Sequence, residues 1–290
     1  MRHMLNPLDF SVEEIDQLLS LASDIEHHLS QYAHVCDGKI LATLFYEPST
    51  RTRLSFESAM LHLGGSVLGF SSANSSSAAK GESVADTIRT VSCYADIAAM
   101  RHPKEGSALV ASMASNIPVI NAGDGMDEHP TQALLDMLTI KEKKGGFKGL
   151  KVAIIGDIYH SRVVRSNVYG LTKLGADVSV GGPTTLMPPG MERLGVKVFN
   201  NVEDAIKDAD VVMGLRIQLE RQKKGLFPSI REYYRFFGVD NERLKLAKPG
   251  ALVMHPGPVN RGVEFSSSVI DGEQSVINEQ VTNGVAVRMA

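Results

Sequence analysis

The chain has 290 residues, 43% hydrophobic and 22% charged, with a formal net charge of −3. This ordinary soluble balance gives ample core for two medium domains or one large one, and no basic excess marks a nucleic-acid partner. No apolar run nears the roughly 20 residues that span a bilayer.

The opening residues, MRHMLNPLDFSVEEIDQLL, place acids where a signal peptide has an apolar core. The two cysteines, Cys36 and Cys93, lack metal-ligand spacing and read as reduced thiols, so a cytoplasmic protein without a metal is expected. Short β-branched runs then alternate with amphipathic stretches, the pattern of parallel α/β domains. The runs predict strands at 39–46, 66–70, 96–100 and 118–121 in the first half. Within 82–95, Val84, Ile88, Val91 and Ala95 fall on one helical face. The Lys- and Gly-rich KEKKGGFKG (141–149) forms the seam, giving a first domain over 1–142 and a second over 148–274. In the second half the predicted strands are 151–156, 177–182, 196–199, 210–215 and 251–254.

Polar clusters follow strands in both halves. EPSTRTR (47–53), RHPKEG (101–106) and AGDGMDEHPTQ (122–132) lie in the first; GDIYHSR (156–162), RIQLER (216–221) and HPGPVNR (255–261) lie in the second. Ligands of open parallel sheets bind beyond the carboxyl ends of the strands, so this order implies two parallel-sheet α/β domains with an active site in the cleft between them.

PSTRTR (48–53) reads as a phosphate cradle. Ser49 or Thr50 can cap a helix whose first N–H groups face the strand exit, the hydroxyls of Ser49, Thr50 and Thr52 add donors, and Arg51 adds a fork suited to phosphate oxygens. Arg53, two residues on, faces elsewhere and suits a structural ion pair. The hexapeptide alone fits a capped surface helix with solvated arginines equally well. No GxxxxGK[ST] and no GxGxxG follows any strand, so no nucleotide cofactor is expected.

STRTR (49–53) followed by HPTQ (129–132) resembles the aspartate/ornithine carbamoyltransferase family, and RIQLERQ (216–222) with HPGPVNRG (255–262) resembles its aspartate-specific catalytic chains. The ornithine-type HCLP and SMG segments are absent. The resemblance implies transfer of the carbamoyl group of carbamoyl phosphate to L-aspartate, without cofactor. By motif it implies that Ser49, Thr50, Arg51 and Thr52 hold the phosphate. Arg101 and His129, with Thr52, reach the carbonyl oxygen. Gln132 and the backbone around Pro256, Gly257 and Pro258 orient the amino group. Arg162, Arg216 and Gln218 meet the aspartate carboxylates, Arg216 and Gln218 alternating to one side of an extended segment. Glu47 and Arg221 match cross-domain contacts.

By composition SSANSSSAAKGES (71–83) is a flexible linker; by resemblance it is a loop that carries Ser76 and Lys80 into a neighbouring subunit's site in a homotrimer. Ala79 stands where relatives often have a second lysine. His3 and His102 receive no role, and His160 suits either the aspartate pocket or a solvent-facing loop. A helix over 275–290, with Val281, Val285 and Met289 along one side, is expected to pack back on the first domain; it stops at Ala290, where relatives run further. A regulatory chain or a dihydroorotase partner is known in the family, and nothing in the sequence selects either. Carbamoyl transfer to another amino acid, or a non-catalytic metabolite-binding role, are the alternatives.

Overall fold

The computed structural model describes residues 1–218 and 229–290, which divide into two compact units: Met1–Leu138 with Val281–Ala290, and Thr139–Gln280. The first unit opens on α1 (Val12–His27), started by a capping box in which Ser11 and Glu14 each bond the other's backbone. The single turn α2 (Leu29–Tyr32) follows. The strands β1 (Ile40–Phe45), β2 (Ser66–Phe70), β3 (Ile97–His102) and β4 (Val119–Asp124) form one parallel sheet in the order β2-β1-β3-β4. The helices α3 (Thr50–His62), α4 (Val84–Val91) and α5 (Ser107–Ala114) lie between them in sequence, and α6 (Pro130–Lys144) leaves β4. Apolar side chains pack on both faces, as a parallel sheet covered by helices requires. Leu41, Phe45, Phe56 and Met60 form one layer, and Leu44, Ile88, Val91 and Met100 the other.

The second unit holds a five-stranded parallel sheet of β5 (Lys151–Ile155), β6 (Asp177–Gly181), β7 (Lys197–Phe199), β8 (Val211–Gly214) and β9 (Leu252–Met254). Its order is β7-β6-β5-β8-β9. The helices are α7 (Arg162–Lys173), α8 (Val202–Ile206), α9 (Ile230–Phe237), α10 (Asn241–Leu244) and α11 (Ser267–Ile270), and α12 (Ile277–Met289) follows, belonging from Val281 onward to the first unit. In each sheet the chain first winds one way and then returns to the other side, so the order reverses between β1 and β3 and between β5 and β8. Such reversal points open a crevice at the strand ends.

Every predicted strand forms. Two run further than expected, β3 to His102 and β4 to Asp124, so Arg101 lies inside β3, in register with Phe45 of β1. The last helix also differs in detail. Val285 and Met289 pack with Ile25, Ala59 and Leu63 of the first unit, whereas Val281 is 49% exposed. Among the described residues no helix is long and apolar enough to cross a membrane, and no group of three His, Cys, Asp or Glu residues could hold a metal ion.

Candidate active site

In the first unit, β1 ends at Phe45 and the chain turns through Glu47–Ser49 into α3. Ser49 takes the N-cap position with extended backbone, yet its side chain makes no cap bond. Its hydroxyl instead accepts Arg101 Nη1 at 3.0 Å, so the first-turn amides of α3 receive nothing from Ser49 Oγ. The sequence offered Ser49 or Thr50 as the cap; Ser49 takes the position but not the bond, because the guanidinium arriving from β3 is the stronger donor. Thr50 and Arg51 are exposed at the start of α3, while Thr52 is buried beneath them. Arg53 turns away, as expected, and its Nε donates to Glu57 at 2.6 Å.

Arg101 is the hub of this half. Its Nε donates to Glu47 Oε1 at 2.7 Å, and its Nη1 also reaches Thr52 Oγ1 at 3.4 Å. Glu47 thus has one partner within its own unit. Thr52 Oγ1 lies 3.5 Å from His129 Nε2, at the outer limit of a hydrogen bond. His129 is buried and precedes Pro130, which occupies the first position of α6, where a missing N–H costs nothing. Gln132 donates its amide to Asp136 Oδ1 at 2.9 Å, leaving its carbonyl end as the acceptor. Ser49, Thr52, Arg101 and His129, drawn from three separate stretches of sequence, therefore converge at the ends of β1, β3 and β4.

The loop of 71–83 is built rather than featureless. It forms two short 3-10 turns, Ala73–Ser75 and Ser77–Lys80, and Ala73 and Ala78 pack against the core layer of Tyr46, Ile88 and Met100. Ser76 caps the second turn by accepting Ala78 N–H at 3.3 Å and donates to Ala73 O at 2.9 Å. Lys80 and Ala79 are exposed, and Lys80 makes no ion pair among the described residues. His3 and His102 serve the fold. His3 Nδ1 accepts Val119 N–H, and His102 Nδ1 accepts both Lys104 N–H and the Ser107 hydroxyl, while burial lowers the His102 pKa.

In the second unit, Gly156 turns the chain off β5 with a φ of +125, a value that suits glycine, and a Cβ there would stand 2.6 Å from Leu215 O. The carboxylate of Asp157, wholly buried, then organises the exit. Its Oδ1 accepts His160 N–H at 3.1 Å and its Oδ2 accepts Gln218 N–H at 3.3 Å. His160 Nδ1 lies 2.8 Å from the same carboxylate, and His160 is buried rather than solvent-facing. Gln218 Nε2 donates to His160 O at 2.9 Å, joining the segment after β8 to the one after β5. Arg162, the first residue of α7, is buried, and Arg216 is half-buried.

Between Arg216 and Gln218, Ile217 is buried against Leu186 and Tyr233. An inward Ile217 is compatible with an alternation in which Arg216 and Gln218 share the other side of an extended segment. Beyond β9, His255 Nδ1 accepts Gly257 N–H at 2.8 Å, and Gly257 adopts a φ of +66 before a cis bond to Pro258. Arg261 is committed to an exposed pair with Asp271. Arg221 lies outside the described residues.

Sequence reasoning did not single out Asp157, Glu264 or Asp136. Buried Glu264 accepts Ile217 N–H at 2.8 Å through Oε1 and Asn260 N–H at 2.9 Å through Oε2, and burial pushes its carboxyl pKa up. Asp157 sits at a reversal point and so carried a positional signal. Glu264 carried none, because it acts on a segment 47 residues away.

Residues 2–142 match the family described as aspartate/ornithine carbamoyltransferase, carbamoyl-P binding domain, and residues 148–290 match its Asp/Orn binding domain. The chain is 62% identical over 294 residues to the aspartate carbamoyltransferase catalytic subunit of Ruminiclostridium cellulolyticum, covering 100% of this chain and 93% of the relative. It is 60% identical over 293 residues to the subunit of the same name from Acetivibrio thermocellus, covering 100% and 94%. Among solved structures, aspartate transcarbamoylase from Trypanosoma cruzi in complex with carbamoyl aspartate and phosphate superimposes with a TM-score of 0.89 at 34% identity, over 99% of this chain and 93% of that one. Ornithine carbamoyltransferase from Pyrococcus furiosus does so with a TM-score of 0.88 at 34% identity, over 99% and 95%. Shape alone thus does not separate the two acceptors, whereas the sequence relatives carry the name of one. With both of its domains matched along nearly the whole sequence, this chain belongs to the aspartate/ornithine carbamoyltransferase family.

Proposed function

We propose that this chain transfers the carbamoyl group of carbamoyl phosphate to the amino group of L-aspartate, giving N-carbamoyl-L-aspartate and phosphate, an early step of pyrimidine synthesis. The observation that carries this reading is the chain-long identity of 62% and 60% to two aspartate carbamoyltransferase catalytic subunits. The T. cruzi aspartate transcarbamoylase has also been solved with carbamoyl phosphate and aspartate together.

The first turn of α3 binds the phosphate through Ser49, Thr50, Arg51 and Thr52, where backbone amides, hydroxyls and a guanidinium suit an anion. Thr52, Arg101 and His129 donate to the carbonyl oxygen of carbamoyl phosphate. The unprotonated aspartate amine attacks the carbonyl carbon, a tetrahedral oxyanion forms, and the carbon–oxygen bond to phosphate breaks, the departing phosphate taking up the proton that the amine nitrogen gives up. Donors preorganised for such an oxyanion contribute about 3–4 kcal/mol each. Gln132, through its carbonyl, and the backbone at Gly257 and Pro258 orient the carbamoyl amino group. Arg162, Arg216 and Gln218 take the aspartate carboxylates, a pairing that disfavours a cationic acceptor. Ser76 and Lys80 act in the site of a neighbouring copy within a homotrimer, a reading supported by the exposure of Lys80 on a loop packed against its own core.

The test supplies carbamoyl phosphate and L-aspartate and follows both phosphate release and product mass, with Arg51→Ala alongside. Product from the native chain, and none from an Arg51→Ala chain of unchanged circular dichroism, supports the reading. Equal turnover by the variant contradicts the phosphate cradle, and no product from the native chain contradicts the function.

A further inference from the structure

The last turn of α12 brings one arginine between α3, which carries Thr52, and α6, which His129 immediately precedes. Arg288 Nη1 donates to Ser55 Oγ of α3 at 2.8 Å and to Gly284 O of its own helix at 2.9 Å. Its Nη2 donates to Thr131 Oγ1 of α6 at 3.3 Å, and its guanidinium carbon lies 4.9 Å from the centroid of the Phe56 ring. The Nε atom is sealed from solvent without a hydrogen-bond partner.

Ser55 is three residues after Thr52 on α3, and Thr131 is two residues after His129. The arginine therefore crosses the same two chain segments that meet at the Thr52–His129 contact, about one helical turn from it on the α3 side.

The packing of α12 does not explain this residue. Val285 and Met289 already fasten the helix to Ile25, Ala59 and Leu63, and Ala286 and Val287 are buried beside them. An apolar side chain of similar length would fill the same space without enclosing a cation, and buried charges are commonly less stabilising than their apolar replacements. Burial indeed draws the Arg288 pKa down to about 10, against the opposing charge of Asp136. What an arginine adds is a rigid planar fork whose two terminal nitrogens reach hydroxyls on two helices at a fixed separation, whereas lysine carries its donors on one nitrogen and methionine has none.

We infer that Arg288 is a positioning residue: by spanning Ser55 and Thr131 it fixes the separation of α3 from α6 and thereby holds Thr52 and His129 in the geometry that receives the carbamoyl carbonyl. This rests on the proposed roles of Thr52 and His129. It makes α12 part of the support of the donor site.

The experiment compares Arg288→Met, Arg288→Lys and an unrelated core variant, Ile25→Val, in the full chain. Three quantities are read: the melting midpoint, the separate kcat and KM values for both substrates, and the His129 ring titration by NMR. Arg288→Met is expected to lower kcat by about 10- to 100-fold, as small misplacements of reacting groups do, with little change in KM for the acceptor and a displaced His129 titration. Arg288→Lys is expected to recover little of this. Ile25→Val lowers the midpoint while leaving kcat and His129 unchanged. A native-like kcat, or an unmoved His129 titration, in Arg288→Met overturns the inference. Should that variant fail to fold, Ser55→Ala and Thr131→Val carry the same expectation through one lost partner each. If the native chain forms no carbamoyl product, the proposed function falls, and the His129 titration still decides the positioning role.

Discussion

Replacing Asp157 by asparagine tests the carboxylate that ties the segment after β5 to the segment after β8, the proposed acceptor half. The two oxygens of this fully buried carboxylate serve different backbone donors, Oδ1 taking His160 N–H and Oδ2 taking Gln218 N–H. An amide has the same shape but only one oxygen. Whichever way it turns, its NH2 faces one of these two N–H groups, so one of the bonds is lost, and those that remain, with the His160 Nδ1 contact, are no longer to a charged group. Hydrogen bonds to charged groups contribute about 1.5–3 kcal/mol. If the loss is expressed at Gln218, this corresponds to about 10- to 150-fold in kcat/KM. The assay is initial velocity of N-carbamoyl-aspartate formation with L-aspartate varied at saturating carbamoyl phosphate, then with the substrates exchanged. The expected loss falls on the aspartate kcat/KM, with KM for carbamoyl phosphate unchanged. A change below threefold, or one confined to carbamoyl phosphate, refutes the assignment of this carboxylate to the acceptor half.

Ile217→Ala empties a site walled by Leu186 and Tyr233, and the expected cost is about 2–5 kcal/mol in chemical denaturation, accompanied by a raised KM for aspartate. Burial raises the carboxyl pKa of both Asp124 and Glu264. In the interval between the ordinary carboxylate pKa and the raised one, the folded chain binds more protons than the unfolded chain, so unfolding free energy falls as pH rises through it. Denaturation across acidic to neutral pH checks the sign, and Asp124→Asn is expected to make the decline shallower. Lys80→Ala is expected to be inactive alone but to regain part of its activity when mixed and reassembled with an Arg51→Ala chain, measured as turnover against mixing ratio. No recovery on mixing contradicts a site shared between copies.

The architecture was legible because parallel sheets buried on both faces write themselves as continuous apolar runs, and the polar clusters stood out against them. The convergence of Ser49, Thr52, Arg101 and His129 followed from the same logic, since each lies at or near a strand end. The alternation of Arg216 and Gln218 was equally visible, because an apolar Ile217 sits between them. Where the reading failed, a side chain had preferred a distant partner to a local one. Ser49 gave its hydroxyl to Arg101 instead of its own helix. Nothing in the local sequence foretells that choice, because β3 contributes the arginine 52 positions after Ser49. Glu264 and Arg288 were invisible for the same reason. Val281 was misjudged because periodicity reports a helix but not which turns of it meet a neighbour.

The second unit is proposed to select a dicarboxylate amine as carbamoyl acceptor. The most direct measurement supplies carbamoyl phosphate with equal concentrations of L-aspartate and L-ornithine and quantifies both products by mass. The account predicts N-carbamoyl-L-aspartate as the product, with carbamoyl-ornithine at the level of the enzyme-free control. Carbamoyl-ornithine as the main product contradicts it.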